Sequence, residues 1–499
     1  MPKFFLTTSI PYTNGPPHTG FAFEAVIADA IARWQRMKGH EVFFLTGTDE
    51  HGIKNQKSAE RAGLEPREFV DRIVAEYRKM LSLLNVSFDF FIRTSDPEVH
   101  KPAVERLWKI LEKNGDIYKK KYTGLYCQGC EAFKTERELE NGRCPYHGEV
   151  EAVEEENYFF RLSKYGRALE KILETGEIEI IPETRKNEAL SFIRSGLEDV
   201  SFSRPSSTVW WGLKVPGDPS QTIYVWCDAL SNYLSGSGFA TDPERFRKLW
   251  PPEVHVIGKD ISRFHCIIWP AMLLSAGLPL PKRILVHGFV TSGGRKMSKT
   301  LGNVVDPMEQ IEKFGPERFR YFLLREIPTY EDGDYTEEAL KEVCNSDLAN
   351  GLGNLVRRVL KLNEKHFSGF VPPGSPDPYL KELAERTVAK IDSLMSSFKI
   401  HLALGELWKM ISRLNGYLNE KEPWKMKDRS ALGNVVYNLL ESTRIIAILL
   451  YPFLPTTSRE ILSRLDLEET HANFENLRYG LLKAGSVTEV GAPLFEKLT

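Results

Sequence analysis

KFFLTTSIPYTNGPPHTG, residues 3–20, joins an apolar, β-branched run to a loop rich in proline and glycine. Residues 3–10 read as a buried strand, which the turn-forming residues then end. From about Phe21 to Met37, Ala22, Ala25, Val26, Asp29, Ile31 and Trp34 follow a helical pattern that mixes apolar and polar faces. Gly39 stops that helix, and EVFFLTGTDEHG (41–52) supplies a second strand running into a polar loop. Strand, loop, helix and strand within about 45 residues form a βαβ unit, which predicts an α/β, doubly wound parallel sheet of Rossmann type.

Moving outward, the character changes from about Tyr118 to Thr222, where short strand-like pieces such as EIEIIP and the Trp210–Trp211 segment suggest an insertion. Sheet signals resume with TIYVWCDAL, with VHVIGKD and a following helix, and with RILVHGFVTSGG. From about Glu337 every long segment has helical period, and PPGSPDP at 372–378 breaks two of those helices. The predicted organisation is a first sheet half at 1–117, a connective insertion at 118–222 and a second half at 223–290. A linking region with a basic loop follows at 291–336, then a helical bundle at 337–499.

The 499 residues carry a net charge of −2, with 42% apolar and 27% charged residues, which excludes a disordered or fibrous chain. No stretch reaches the ~18 uncharged apolar residues of a membrane helix, and the start lacks a secretory pattern. The expectation is therefore a cytoplasmic protein with no membrane partner. Near-neutral charge argues against a surface coated for nucleic acid. Yet residues 351–430 hold 14 Lys+Arg against 9 Asp+Glu, a local basic excess.

Of six cysteines, three cluster with a histidine: Cys127, Cys130, Cys144 and His147. Two short-spaced pairs match the ligand spacing of a structural zinc site, one Zn2+ per chain with all four positions filled by protein. Cys227, Cys266 and Cys344 are scattered and read as small buried apolar residues.

Two distant segments carry the sharpest chemical signal. His18, Thr19, Gly20 and Phe21 stand where a strand hands over to a helix, whose N-terminus favours phosphate. Gly20 lets a flat ring approach the backbone, and His18 can donate to phosphate oxygens. The second segment, GGRKMSKTLGN (293–303), reads as a mobile loop with Lys296 and Lys299 three apart. Such compact movable charges suit a departing pyrophosphate.

Together, HTGF and KMSKT resemble the paired signatures HIGH and KMSKS of class I aminoacyl-tRNA synthetases. The resemblance narrows to the methionyl-tRNA synthetase family through SIPYTNGPPHTG, FFLTGTDEHG, the metal knuckle, YVWCDALSNY, HVIGKDISRFHCIIWPAML, GRKMSKTLGNVVDP and NEKEPW. It implies that L-methionine and ATP, carrying Mg2+, give methionyl-adenylate and pyrophosphate, with transfer to the terminal adenosine of tRNA(Met). By motif it places His18, Gly20, Gly258, Asp260, His287, Gly288, Val290, Lys296 and Lys299 at ATP, with His18 and the two lysines catalytic. It places Asp49 at the α-ammonium beside Ile10, and builds the side-chain pocket from Ile10, Tyr12, Trp226, Ala229, Leu230, Tyr233, Ile261, His265 and Trp269. Tyr12 or His265 would donate toward the thioether, whose polarizable sulfur suits aromatic walls. Asn350, Asn354, Arg358, Pro423 and Trp424 fall where the family reads the anticodon, which makes 337–499 an anticodon-binding domain.

Three departures stand out: Phe21 replaces the last histidine of the first signature, Thr300 the last serine of the loop, and Leu230 a proline of some relatives. The competing readings are a class I synthetase for another amino acid, a small nucleotidyltransferase, and a tRNA-binding protein without catalysis. An editing insertion has no room between Tyr118 and Thr222, and no cysteine precedes the first signature. The end at Thr499, soon after the helical region, suggests a monomer.

Overall fold

The computed structural model describes residues 2–127, 129, 132–134, 138–145, 148–297 and 303–499. β1 (Lys3–Thr8), α1 (Thr19–Met37) and β2 (Glu41–Thr48) form the βαβ unit, with β1 and β2 parallel and Leu6 opposite Phe44. The complete sheet has six parallel strands, ordered β3 (Phe90–Arg93), β2, β1, Val254–Gly258, Arg283–His287 and Glu179–Ile181. Its order reverses between β1 and Val254–Gly258. Loops leaving the carboxyl ends of these two strands therefore diverge and open a crevice, the usual ligand position of an open α/β sheet.

Three expectations change. Glu179–Ile181 lies inside the 118–222 span yet pairs in parallel with Arg283–Leu285, so that span is not a single inserted unit. TIYVWCDAL does not continue the parallel sheet: Asp218–Ile223 joins a small antiparallel sheet with Ser203–Pro205, and Val225–Leu230 is helical. A short apolar run looks the same for a strand and a buried helix, and here five of the six helical residues are buried. Val290–Ser292 also leaves the main sheet, pairing with Gly333–Tyr335 and with Arg295–Lys296.

The polar positions of α1 do not form a solvent face, because the helix is covered by the sheet on one side and by later helices on the other. Glu24, Asp29 and Arg33 are all buried. Asp29 pairs with Arg33 at 2.8 Å and with Arg320, and accepts the Ser87 N–H at 2.7 Å. Burial opposes its charge, but the two guanidinium groups prevail and hold the carboxyl below its ordinary value. Arg320 also donates to the carbonyls of Pro452 and Phe453, at 2.9 and 2.6 Å. This satisfied polar network fastens the sheet half to the helical half across one continuous core.

Ile117–Cys127 and Glu151–Phe160 form a long antiparallel arm. From Glu337 the chain is helical, with long helices at Asn354–Phe367, Pro378–Ser396, Ile400–Lys421 and Arg429–Leu450, and the 372–378 linker separates the first two. Among the described residues no helix is long and apolar enough to cross a membrane.

Candidate active site and nucleic-acid face

The crevice at the sheet reversal is a pocket of about 1150 Å³. Of the residues expected there, Ile10, Tyr12, His18, Gly20, Asp49, Trp226, Ala229, Leu230, Tyr233, Gly258, Asp260, Ile261, His265, His287, Val290 and Lys296 line it. Lys299 lies outside the described residues, as do Cys130, His147 and Thr300.

His18 is the N-cap of α1: its Nδ1 accepts the Phe21 N–H at 3.1 Å. That bond leaves the proton on Nε2, so the ring is a donor toward the pocket. Its ring is open to the pocket's solvent but walled by protein, and this desolvation lowers its pKa below the ordinary histidine value. A Cβ on Gly20 would lie 3.1 Å from His18 Nδ1, so the glycine also makes room for the capping ring. Phe21 is buried edge-on against Tyr77, with ring centroids 5.5 Å apart.

Opposite, a Cβ on Gly258 would come within 3.0 Å of Asp260 Oδ1, so the glycine gives that carboxylate room over the strand end. His287 has an acceptor at each ring nitrogen: Nδ1 faces the Gly288 carbonyl at 2.7 Å and Nε2 faces Glu24 Oε2 at 2.9 Å. Both positions are therefore filled by N–H donors, which makes the ring an imidazolium. Burial works against that charge, but the Glu24 carboxylate outweighs it and raises the pKa. Glu24 also accepts from the Ser9 backbone and hydroxyl, at 2.6 and 2.7 Å, fixing the end of β1. The motif reading missed Glu24; a carboxylate inside the apolar run FAFEAVIADAIA is the signal that could have found it.

Gly288 is outside the pocket lining. A Cβ there would lie 2.0 Å from the Glu331 carbonyl, so its small size serves backbone packing rather than a ligand. Trp269 is also set back, fully buried with its Nε1 directed at His255 Nε2 (3.3 Å) and its ring behind Tyr233 at 5.7 Å.

In the aromatic part, Trp226 stacks flat on Phe264 (3.6 Å between centroids) and meets Tyr12 edge-on. The expected donor role of His265 is reversed. Its Nδ1–H donates to the Ile261 carbonyl at 3.0 Å, so Nε2 accepts the Tyr233 hydroxyl at 2.7 Å. Burial holds this ring neutral with a pKa of about 4, leaving it no proton for a thioether. The hydroxyl hydrogen belongs to Tyr233.

Behind the pocket wall, the Asp228 carboxylate accepts His51 Nδ1–H at 2.7 Å and His100 Nε2–H at 2.8 Å. It ties the loop following Asp49 to the helix carrying Trp226, Ala229 and Leu230.

Gly293 and Gly294 have φ of +63° and +70°, and form the two-residue turn between the paired residues Ser292 and Arg295. Such a turn requires left-handed conformations. The basic loop thus begins as a tight hairpin, pinned by the Gly294 N–H to Asp334 Oδ1 at 2.8 Å. Lys296 is exposed, its ammonium 4.4 Å from the Phe289 ring at the pocket edge.

In the helical half, Asn350 and Asn354 are exposed one turn apart. Arg358 follows at the next turn, 5.9 Å from the ring of Trp424 and bonded to Asn419 Oδ1 at 2.7 Å. Trp424 is 46% exposed above a buried Pro423, so it is not core.

At the tip of the arm, Cys127 and Cys144 are both buried. Reciprocal bonds between Cys144 and Gly148, at 2.7 and 2.8 Å, close a tight turn. Among the described residues no three His, Cys, Asp or Glu gather as a metal cluster.

A family model described as class I tRNA synthetases (M) matches residues 4–153 and 138–360, and one described as the anticodon binding domain of methionyl tRNA ligase matches 372–499. The chain is 46% identical to a methionine–tRNA ligase of Caldanaerobacter subterraneus subsp. tengcongensis, over 99% of this chain and 79% of the relative. It is 45% identical to that of Rhizobium meliloti, over 99% and 98%. A solved structure of Mycobacterium tuberculosis methionyl-tRNA synthetase in complex with methionyl-adenylate superposes with a TM-score of 0.94 at 40% identity, covering 99% of this chain and all of that one. With its parallel-sheet crevice and its helical second half, the chain belongs to the methionyl-tRNA synthetases, the class I ligases that join methionine to tRNA.

Proposed function

We propose that this crevice is where methionine and ATP condense, with the residues in it dividing the work by ligand part. The carrying observation is that His18, Asp49, Asp260 and Lys296, from four separate segments, line one pocket at the sheet reversal. The similar Mycobacterium tuberculosis structure is a complex with methionyl-adenylate, the intermediate this reading places here.

The methionine carboxylate attacks the α-phosphate of ATP, pyrophosphate leaves, and no protein nucleophile takes part. Acceleration comes from alignment and from charge placed where the transition state needs it. Asp49 takes the α-ammonium beside the Ile10 backbone, and Asp260 takes the ribose hydroxyls. Gly20 and Val290 face the adenine. His18 offers Nε2–H to phosphate oxygens without carrying charge. Lys296, joined by Lys299, neutralises the departing pyrophosphate, whose Mg2+ arrives with ATP. The thioether lies among Tyr12, Trp226, Leu230 and Tyr233, with the Tyr12 hydroxyl as its donor, because the Tyr233 proton is already given to His265 Nε2. Phe21 offers no imidazole, and among the described residues the imidazoles that line the pocket beside His18 are His265 and His287.

Transfer to tRNA(Met) uses the second face, where Trp424 and Arg358 offer a stacking platform and a guanidinium edge, and Asn350 and Asn354 offer amides to unpaired anticodon bases. A structural zinc completes the arm. Two buried thiols at a polar hairpin tip suit thiolate ligands, and Cys127, Cys130, Cys144 and His147 would hold the ion, which supplies folding energy to the tip.

Exchange of labelled pyrophosphate into ATP, run across the amino acids one at a time, tests the reading. Methionine-dependent exchange is expected; exchange driven by another amino acid, or none, refutes it.

A further inference from the structure

The chain leading into Asn354 is not an α-helix. Cys344–Gly353 is a π-helix, whose turns close on the fifth carbonyl back, and Asn354 itself donates its N–H to the Ala349 carbonyl. Ten residues of π-helix are unusual, because such turns occur mostly singly inside α-helices, and often at functional sites. Ordinary α geometry resumes from Asn354 to Phe367.

The string NGLGN, residues 350–354, shows how the chain accepts the wide turn. A Cβ on Gly353 would lie 3.0 Å from the Leu348 carbonyl oxygen, and one on Gly351 would lie 3.4 Å from that of Ser346. In both cases the close oxygen belongs to the residue five back. Gly353 has φ of −61°, which any residue adopts, so the glycine supplies room and not conformational freedom. Side chains from three other segments brace the turn. The buried Tyr321 donates its hydroxyl to Asp347 Oδ2 at 2.6 Å. Asn415 donates Nδ2–H to the Gly351 carbonyl at 3.2 Å. Asn345 exchanges two bonds with the Leu498 backbone, at 2.9 and 2.8 Å.

The wide turn changes where the polar side chains point. Asn350, Asn354 and Arg358 stand four residues apart. At 3.6 residues per turn each such step advances about 40° around an α-helix, so the three would wind away through about 80°. A turn closed on the fifth residue holds more than four residues, so the step from Asn350 to Asn354 falls short of a full turn. It offsets the α step from Asn354 to Arg358. The three groups stay on one line, with the Trp424 ring 5.9 Å from its Arg358 end.

We propose that this π turn is a positioning device for anticodon reading, with Gly353 and Tyr321 as the residues that set it: it registers the amides of Asn350 and Asn354 with Arg358 so that one run of unpaired bases meets all three. This rests on the anticodon reading given above and adds the residues that fix its geometry.

Two variants test it. Gly353→Ala places a methyl against the Leu348 carbonyl, and Tyr321→Phe removes one brace but keeps the ring. In each, methionine-dependent pyrophosphate exchange stays at the wild-type level. Meanwhile kcat/KM for tRNA(Met) falls about tenfold in Gly353→Ala and about threefold in Tyr321→Phe, the scale of one displaced hydrogen bond. The preference for tRNA(Met) over the same tRNA with an altered anticodon shrinks in proportion. Asn350→Ala gives the readout that a merely structural role would not move: it impairs charging in the wild type but adds little in the Gly353→Ala background, where its amide is already out of line. Should Gly353→Ala not fold, the same comparison is made with Tyr321→Phe. Unchanged charging in both variants, losses that simply multiply with that of Asn350→Ala, or an equal fall in exchange and charging overturns the proposal. Full charging by Trp424→Ala would instead refute the anticodon reading beneath it.

Discussion

Replacing Asp228 by asparagine removes the charge that clamps the pocket wall. The carboxylate is buried and accepts two imidazoles, at 2.7 and 2.8 Å. Burial alone would raise its pKa, but His51 and His100 reverse that and bring it to about 2 from 3.8. A downward shift of nearly two units corresponds to about 2.5 kcal/mol of folded-state stabilisation. Asparagine keeps one acceptor oxygen but turns an N–H toward the other ring, so one charge-assisted bond is lost outright. The expected destabilisation is about 2–4 kcal/mol. Because the folded pKa is depressed, this contribution is complete above about pH 4 and disappears as the pH falls toward 2. Urea unfolding should therefore show a lower midpoint for Asp228→Asn at pH 7, with the gap narrowing below about pH 4. Loosening the wall that carries Trp226 and Leu230 should also raise the KM for methionine more than that for ATP. A variant with the wild-type midpoint at pH 7, or a gap independent of pH, refutes the clamp.

Lys296→Ala should lower kcat of the exchange reaction by about 10²–10³-fold, the usual loss when one transition-state charge partner goes, with thermal stability unchanged; a loss below threefold contradicts its role. Trp424→Ala should preserve exchange but strongly impair charging of tRNA, and equal loss of both activities would remove the anticodon assignment. Elemental analysis should find one zinc per chain, released by chelators more readily at low pH because its thiolates and imidazole must be deprotonated to bind. Metal-free protein that keeps a folded arm would refute the knuckle.

The βαβ opening was readable because one strand, one turn and one helix agree locally in residues 3–37, and the signatures on either side of the sheet were readable because each is a contiguous string. What escaped was set by distant partners. Glu179–Ile181 reveals its sheet only by pairing with Arg283–Leu285, a contact no local pattern encodes. TIYVWCDAL has strand composition, yet its second half is helical, and the Asp228 that this helix carries meets two histidines from other segments. The proton of His265 depends on the Ile261 carbonyl and the Tyr233 hydroxyl, so its direction had to come from geometry. Trp269 lies in a matching motif but behind the Tyr233 ring that lines the pocket. The net charge of −2 also concealed the basic helical segment, because tRNA is met by local surface and not by the total.

A structure of the protein bound to a non-hydrolysable methionyl-adenylate analogue tests the central assignment most directly. The expected complex places the ribose on Asp260, the ammonium on Asp49, the adenine between Gly20 and Val290, and the thioether among Tyr12, Trp226 and Tyr233. An analogue bound outside the crevice, or inside it with the amino-acid end away from Asp49 and Tyr233, contradicts the account.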